Sequence, residues 1–238
     1  MIKKLLKDSV FHVQYWYFRE CWRTIKEQKS LGKVLRYYPQ YMKSNLDYSK
    51  SPLVLGVPWI TFEAIEYLQS LIKSDFKVFE FGSGGSTRFF SERTSEVYSV
   101  EHDEGWFKLV SNKLGSHSNL RLYFEPGIVP KTGMGIQIKD EDGGNFNFKD
   151  YVETILEFED DFFDLILIDG KARNISILNA LPKLKKGGYL VVDNSNRKSY
   201  AETLSKIENW MLLKSFGPSL SSKRFTQTSF YRKPIDEI

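Results

Sequence analysis

The chain has 238 residues, 41% of them hydrophobic and 15% aromatic, with a formal net charge of +4; that length suits one substantial core plus an extension and argues against a second full domain. A single cysteine, Cys21, excludes an intramolecular disulfide framework and a cysteine-built metal site, so a reducing, cytoplasmic setting is expected. No run approaches the roughly 18–20 apolar residues that cross a bilayer, and the opening MIKKLLKDSVFHVQYWYF lacks the clean apolar stretch and small-residue cleavage site of a signal peptide.

The charge is unevenly placed. Residues 1–50 hold eleven Lys and Arg against four Asp and Glu, whereas residues 51–238 hold 23 against 26, so the basic character belongs to the N-terminal segment. Within it, VFHVQYWYFRECWRTIKEQ has a helical period that sets Phe11, Phe18, Trp22 and Ile25 near one face, with Arg19, Arg23 and Lys26 elsewhere. Either this helix packs on the domain with its basic face in water, or its aromatics meet a partner protein or a membrane surface, which would make the protein peripherally membrane-associated. Residues 1–51 are therefore expected to form a basic, aromatic helical extension to a domain spanning residues 52–238.

From residue 52 helices and strands alternate. PWITFEAIEYLQSLI predicts a helix opening at Pro58, with Ile65, Leu68, Leu71 and Ile72 on one face. KVFEF (77–81) and EVYSVE (96–101) read as strands joined by a short crossover helix. NLRLYFE (119–125), FDLILID (163–169) and GYLVVD (188–193) are further strands, FDLILID being continuously apolar as in a strand covered on both faces. Between them, residues 131–150 are polar and Gly-rich and read as an insertion or lid. MLLKSF (211–216) and TQTSFYRK (226–233) are too closely connected for a helical crossover, which predicts an antiparallel hairpin at the C-terminus. The expected fold is α/β, a doubly wound, mostly parallel seven-stranded sheet ending in that hairpin.

VFEFGSGGST (78–87) joins the first strand to its helix, where glycines let the backbone approach a ligand and the helix start offers free N–H groups. A dinucleotide fingerprint needs glycine at 82, 84 and 87; Thr87 at the last position disfavours NAD. Glu80 would repel a pyrophosphate but suits a ligand carrying an ammonium and a sulfonium, as S-adenosylmethionine does. Glu101 ends the second strand, where a carboxylate accepts both hydroxyls of a ribose. For the glycines alone, an ordinary tight strand-to-helix turn is the alternative.

The ordered set of strand, E-x-G-x-G-G, helix, strand and Glu resembles motif I and the acidic loop of class I S-adenosylmethionine-dependent methyltransferases, over roughly residues 52–233. PWITFEAI, FGSGGSTRFF, VYSVEHDEGW, LIDGKARN and VVDNSNRKSY are similar, more narrowly, to a bacterial group of small-molecule or saccharide-type methyltransferases. The resemblance implies a Rossmann-like fold and S-adenosylmethionine as cofactor. It implies a cofactor site of Glu80, Gly82, Ser83, Gly84, Gly85, Ser86, Thr87, Glu101, His102 and Asp169, with Ser86 standing where glycine is commoner. His102 is read as an adenine-side or structural residue. Trp59 and Trp106 are read as packing residues, with contact to adenine or acceptor as the alternative.

The acceptor is expected beyond the carboxyl ends of the fourth and fifth strands, where LIDGKAR supplies Asp169, Lys171 and Arg173 and VVDNSNR supplies Asp193, Asn194 and Arg197. Asp169, Asp193 and Asn194 make a hard oxygen-donor set that resembles the metal site of catechol and caffeoyl-CoA O-methyltransferases, which implies Mg²⁺ or another divalent cation. Lys171 falls one residue short of the base lysine in the catechol pattern. Without a metal, Asp193-Asn194 would cap a turn and Asp169 would orient the cofactor. Lys171 and Arg173 stand at the start of a helix, where cations oppose the dipole and invite an anionic partner. Asp169, Lys171, Arg173 and Arg197 are the catalytic candidates. The leading expectation is O-methylation of a small hydroxylated acceptor, saccharide before phenol, and not of nucleic acid. A non-catalytic cofactor-binding module recruited through the N-terminal helix is the alternative, and an NAD-linked oxidoreductase the third. Oligomeric state is not legible.

Overall fold

The computed structural model describes residues 9–26, 31–47, 51–130, 137–141 and 143–235. Residues 1–8 of the basic extension, and 131–136 and 142 of the expected insertion, lie outside the described residues. The apolar and β-branched runs form β1 Lys77–Phe81, β2 Glu96–Glu101, β3 Leu120–Phe124, β4 Phe163–Ile168, β5 Leu184–Asp193, β6 Met211–Gly217 and β7 Thr226–Arg232. They lie in one sheet in the order β3-β2-β1-β4-β5-β7-β6. The strands from β3 to β5 are parallel, and β7 runs antiparallel between β5 and β6. Strand order reverses between β1 and β4, so the loops leaving them diverge and open a crevice at their carboxyl ends. β5 starts at Leu184 rather than Gly188, with a register irregularity between Phe163 and Leu165 of its partner.

The helices are α1 Val10–Lys26, α2 Leu31–Arg36, α3 Tyr38–Leu46, α4 Pro52–Leu55, α5 Phe62–Leu71, α6 Gly85–Ser91, α7 Glu104–Leu114, α8 Lys149–Glu153, α9 Arg173–Lys183 and α10 Ala201–Ser205. Alternation along β1 sends Phe79 and Phe81 to one face, packed with Phe163, Tyr151 and Ile177, and Val78 to the other, packed with Phe89, Phe90 and Leu68. Burying both faces is what makes β4 read as an unbroken apolar run. α5 does not open at Pro58. Thr61 caps it, its side chain accepting from Ala64 N at 3.3 Å, because a hydroxyl that satisfies an orphan helix N–H defines the start better than a proline that only tolerates one.

The N-terminal helices have a core of their own, where Val13, Tyr17 and Cys21 of α1 meet Val34, Tyr41 and Phe225. The face that packs is not the aromatic one: Phe11, Phe18, Trp22 and Ile25 are exposed, joined by Tyr15, as the partner-facing alternative requires. The buried stripe contains Glu20 and Thr24, residues that a hydrophobicity pattern assigns to water. They are inside because they are satisfied. Glu20 binds Arg23 at 2.8 Å and accepts from Phe225 N at 3.1 Å, while the Tyr17 hydroxyl donates to Val34 O at 2.9 Å. Among the described residues no helix is long and apolar enough to cross a membrane.

Candidate functional site

A cleft of about 1130 Å³ opens at the carboxyl ends of the strands. One end is walled by the Gly82–Ser86 loop, Glu101, His102 and Trp106; the other by Asn194, Arg197, the β6–β7 connection and Arg23 of α1. A smaller hollow of about 290 Å³ lies elsewhere, against Glu96 and Arg121.

Close approach dictates two of the loop glycines. Gly82 has φ +94° and a Cβ there would sit 3.1 Å from the Gly170 backbone, so the β1 and β4 ends can touch; a Cβ on Gly85 would lie 2.1 Å from Val57 O. Gly85 therefore serves the packing of the 52–57 segment on α6. Thr87 is fully buried, with Oγ1 accepting from Gly84 N at 2.8 Å. Ser86 lines the cleft. The Trp106 indole covers the loop, donating from Nε1 to Ser83 O at 2.7 Å.

The two acids differ. Glu101 is 3% exposed; its Oε1 accepts from His102 N and Asp103 N at 2.8 and 2.9 Å, and its Oε2 from Ser83 N and Oγ at 3.0 and 2.8 Å. Burial would raise its pKa, but the His102 side chain, followed by the bonds from Asp103 N and Ser83, outweighs burial and holds it below the ordinary value. His102 Nδ1 stands 2.9 Å from Oε1. Glu80 is fully buried beneath the loop, and neither carboxylate oxygen makes a well-formed hydrogen bond among the described residues. Burial pushes its pKa to about 7, with the hydroxyls of Ser86, Thr87 and Ser99 holding it back and Glu101 adding to the rise. Glu80 lies under the loop rather than among the residues that line the cleft, and a buried carboxylate that ionises there is costly unless hydrogen bonds or a cation meet it.

At the other end Arg173, which is 6% exposed, threads between the β4 and β5 ends. Its guanidinium donates to Asp169 O and Oδ1 at 2.8 and 3.0 Å, to Gly170 O at 2.9 Å and to Asp193 O at 2.5 Å. Asp193 and Asn194 are engaged too. Thr228 Oγ1 donates to Asp193 Oδ1 at 2.7 Å, Asn194 Nδ2 donates to Asp193 Oδ2 at 2.6 Å, and Arg197 Nη2 donates to Asn194 Oδ1 at 3.0 Å. Asp169 and Asp193 do come together as expected, but around a guanidinium. A divalent ion does not fit these residues: it would sit against a buried cation and compete for oxygens already used. No group of three or more His, Cys, Asp or Glu suited to a metal occurs among the described residues. The expected Mg²⁺ site is therefore corrected to an arginine-filled junction. Burial, followed by mutual repulsion with Asp193, raises the pKa of Asp169. Burial raises that of Asp193 as well, against the pull of Arg173.

Lys171 does not line the cleft. Its Nζ pairs with Asp140 Oδ2 at 2.8 Å, Asp140 Oδ1 accepts from Ala172 N at 3.1 Å, and Glu141 accepts from Arg173 N and Asn174 N at 3.0 and 2.6 Å. The anionic partner invited by the cationic start of α9 is thus the chain's own insertion, whose two acids also satisfy orphan helix donors. Within the described part of that insertion Asp140, Asn147 and Phe148 are buried, whereas residues 143–146 are exposed.

Sequence reasoning does not find Asp103, Arg23, Arg224 or Ser219, Ser221 and Ser222, all of which line the cleft. Asp103 has a signal, since its carboxylate caps α7 through Trp106 N at 2.7 Å. The others carry no motif. Trp59 and Trp106 both line the cleft, and Trp59 is 54% exposed rather than packed away.

No protein-family model and no curated protein sequence matches the chain. Solved structures do. A candidate methyltransferase from Streptococcus mutans in complex with SAH is 12% identical, with 71% of this chain and 96% of that one covered and a TM-score of 0.50. An S-adenosylmethionine-dependent O-methyltransferase from Thermotoga maritima is 14% identical over 79% and 73%, with a TM-score of 0.49. An rRNA methylase from Streptococcus thermophilus is 14% identical over 78% and 98%, with a TM-score of 0.48. The chain has the class I methyltransferase fold: a Rossmann-like parallel core with an antiparallel hairpin inserted at one edge.

Proposed function

We propose that the protein is an S-adenosylmethionine-dependent methyltransferase that methylates an oxygen of a small hydroxylated acceptor, saccharide before phenol. The observation that carries this is Glu80, a buried carboxylate without a well-formed partner, set under a glycine turn and beside the buried Glu101. The fold shared with a structure in complex with SAH supports the same ligand. Glu80 would face the ammonium. Glu101 would take the ribose hydroxyls, Ser83 yielding one of the places it now fills. His102 and Trp106 would flank the base.

When bound, the sulfonium supplies an electrophilic methyl group that needs no activation. The chain must orient the acceptor oxygen and hold the proton it releases. Asp169 is placed for the role of proton acceptor, because it lines the cleft and its side chain is 25% exposed. Arg173 fixes its orientation, and Arg197, through Asn194, shapes the acceptor side. Lys171 pairs with Asp140 and does not line the cleft, so this reading gives the proton to Asp169 instead.

A cofactor-binding module recruited through the N-terminal helix is the second reading, favoured by the exposed aromatics of α1. Calorimetry with S-adenosylmethionine, its demethylated product and NAD tests the first. Both sulfur ligands should bind and NAD should not, and Glu101→Ala should weaken binding by about 1.5–3 kcal/mol for each charge-assisted bond lost. Tight NAD binding without the sulfonium cofactor would end the reading. Cofactor binding without methyl transfer across glycans, sugars and phenols would favour the module.

A further inference from the structure

The cleft is electrically divided along its length. Toward the glycine loop it is lined by Glu101 and Asp103, in the middle by Asp169, Arg173 and Asp193, and toward the β6–β7 connection by Arg23, Arg197 and Arg224. These last three arginines come from separate parts of the chain and are gathered by specific bonds. Arg23 Nη2 donates to Phe225 O at 3.0 Å, next to Arg224; Thr226 accepts from Asn194 Nδ2 at 2.8 Å; and Asn194 accepts from Arg197. The connection is pinned from the N-terminal side, the Tyr41 hydroxyl donating to Lys223 O at 3.1 Å and Asn45 Nδ2 to Ser222 O at 3.3 Å. Arg224 is exposed and makes no side-chain hydrogen bond or ion pair among the described residues. Ser219, Ser221 and Ser222 line the same end.

We infer that the acceptor is an anion: a small polyhydroxylated molecule bearing a phosphate or carboxylate, held at the arginine end with Arg224 as its direct contact and Arg23 as the contribution of α1. This rests on the methyl-transfer reading and narrows its substrate class. An acid-lined end suits a cationic cofactor; at the other end Arg23 already pairs with Glu20 and Arg197 with Asn194 and Tyr200, so Arg224 is the guanidinium on that wall open to an oxyanion. Hydroxyl side chains at the arginine end match a polyol. A nucleic acid is the weaker fit, because Glu101, Asp103 and Asp169 line the same cleft and would repel a phosphate backbone. The same arrangement gives the N-terminal extension a reason to be there, as a wall of the acceptor site.

The test is calorimetry on the full chain, with glucose, glucose 6-phosphate, glucuronate and inorganic phosphate as probes, each with and without S-adenosylhomocysteine. At least one charged sugar should bind about ten-fold or more tighter than glucose. Arg224→Gln should remove that preference, and Arg224→Lys should restore part of it. Phosphosugar against glucuronate identifies the oxyanion. Arg23→Gln is secondary, since its pairing with Glu20 risks the fold; Arg224 is exposed and carries the decision. Equal binding of neutral and charged sugars, no binding of any charged sugar, a preference that survives in Arg224→Gln, or an RNA oligonucleotide binding tighter than every charged sugar would each overturn the proposal. The S-adenosylhomocysteine titration reports separately on the methyltransferase reading, so the two failures are distinguishable.

Discussion

Glu80 lies on the face of β1 that carries Val78, where alternation would place an apolar side chain, and no ordinary core explains a carboxylate there. Its pKa, raised from 4.5 to about 7 chiefly by burial, fixes the direction of a pH effect. The ligand-free fold favours the protonated acid. Its contribution to stability is full below about 4.5 and is lost as pH rises through about 7. A bound ammonium needs the ionised form, so cofactor affinity should strengthen as pH rises through the same window, by up to about ten-fold per unit. Titration calorimetry between about pH 5.5 and 7.5 should show this slope in the native protein and its absence in Glu80→Gln. A slope unchanged in the variant would move the ammonium site elsewhere.

Among the elements, α1 is the one whose sequence misleads. Its aromatics are so numerous that several helical faces look apolar, and the face that packs is chosen by partners. Tyr17 is fully buried among Tyr38, Tyr41 and Phe225, whereas Phe11 is 79% exposed. Tyr17→Ala should therefore cost about 3–5 kcal/mol in urea unfolding, as large aromatic truncations in cores do. Phe11→Ser should stay within about 0.5 kcal/mol, as for surface substitutions. The reverse order would mean that the exposed face is the packed one. The strands are legible for the opposite reason. In β4 the periodicity is abolished by burial on both faces, and short apolar runs bounded by Gly, Asp and Ser leave little choice. β5 reads too short in the sequence because LKKG opens it with two lysines, whose place in the ladder shows only once β4 is beside it.

At the scale of the whole molecule, the junction of β4, β5 and α9 decides what chemistry is open to the site. Arg173 enters it because Asp140 and Glu141 hold the start of α9, and its charge then occupies the space between Asp169 and Asp193. Methyl transfer, once an acceptor is found, should accordingly persist at full rate in EDTA and gain nothing from added Mg²⁺ or Mn²⁺; loss of activity in chelator with return on Mg²⁺ would show that the guanidinium gives way to an ion. Local sequence is enough to define the sheet, its hairpin edge, the glycine turn and the paired acids Glu80 and Glu101, because each depends on residues within one strand–loop–helix unit and on a steric or electrostatic rule that needs no distant partner. It takes the packed molecule to settle which face of α1 is buried, that Lys171 pairs with Asp140, that Arg173 stands in the oxygen cluster, and that Arg23 reaches Phe225, 202 positions along the chain. In each of these a long, polar or charged side chain takes its role from whichever partner satisfies its hydrogen bonds and charge, and that partner is fixed only when the layers pack.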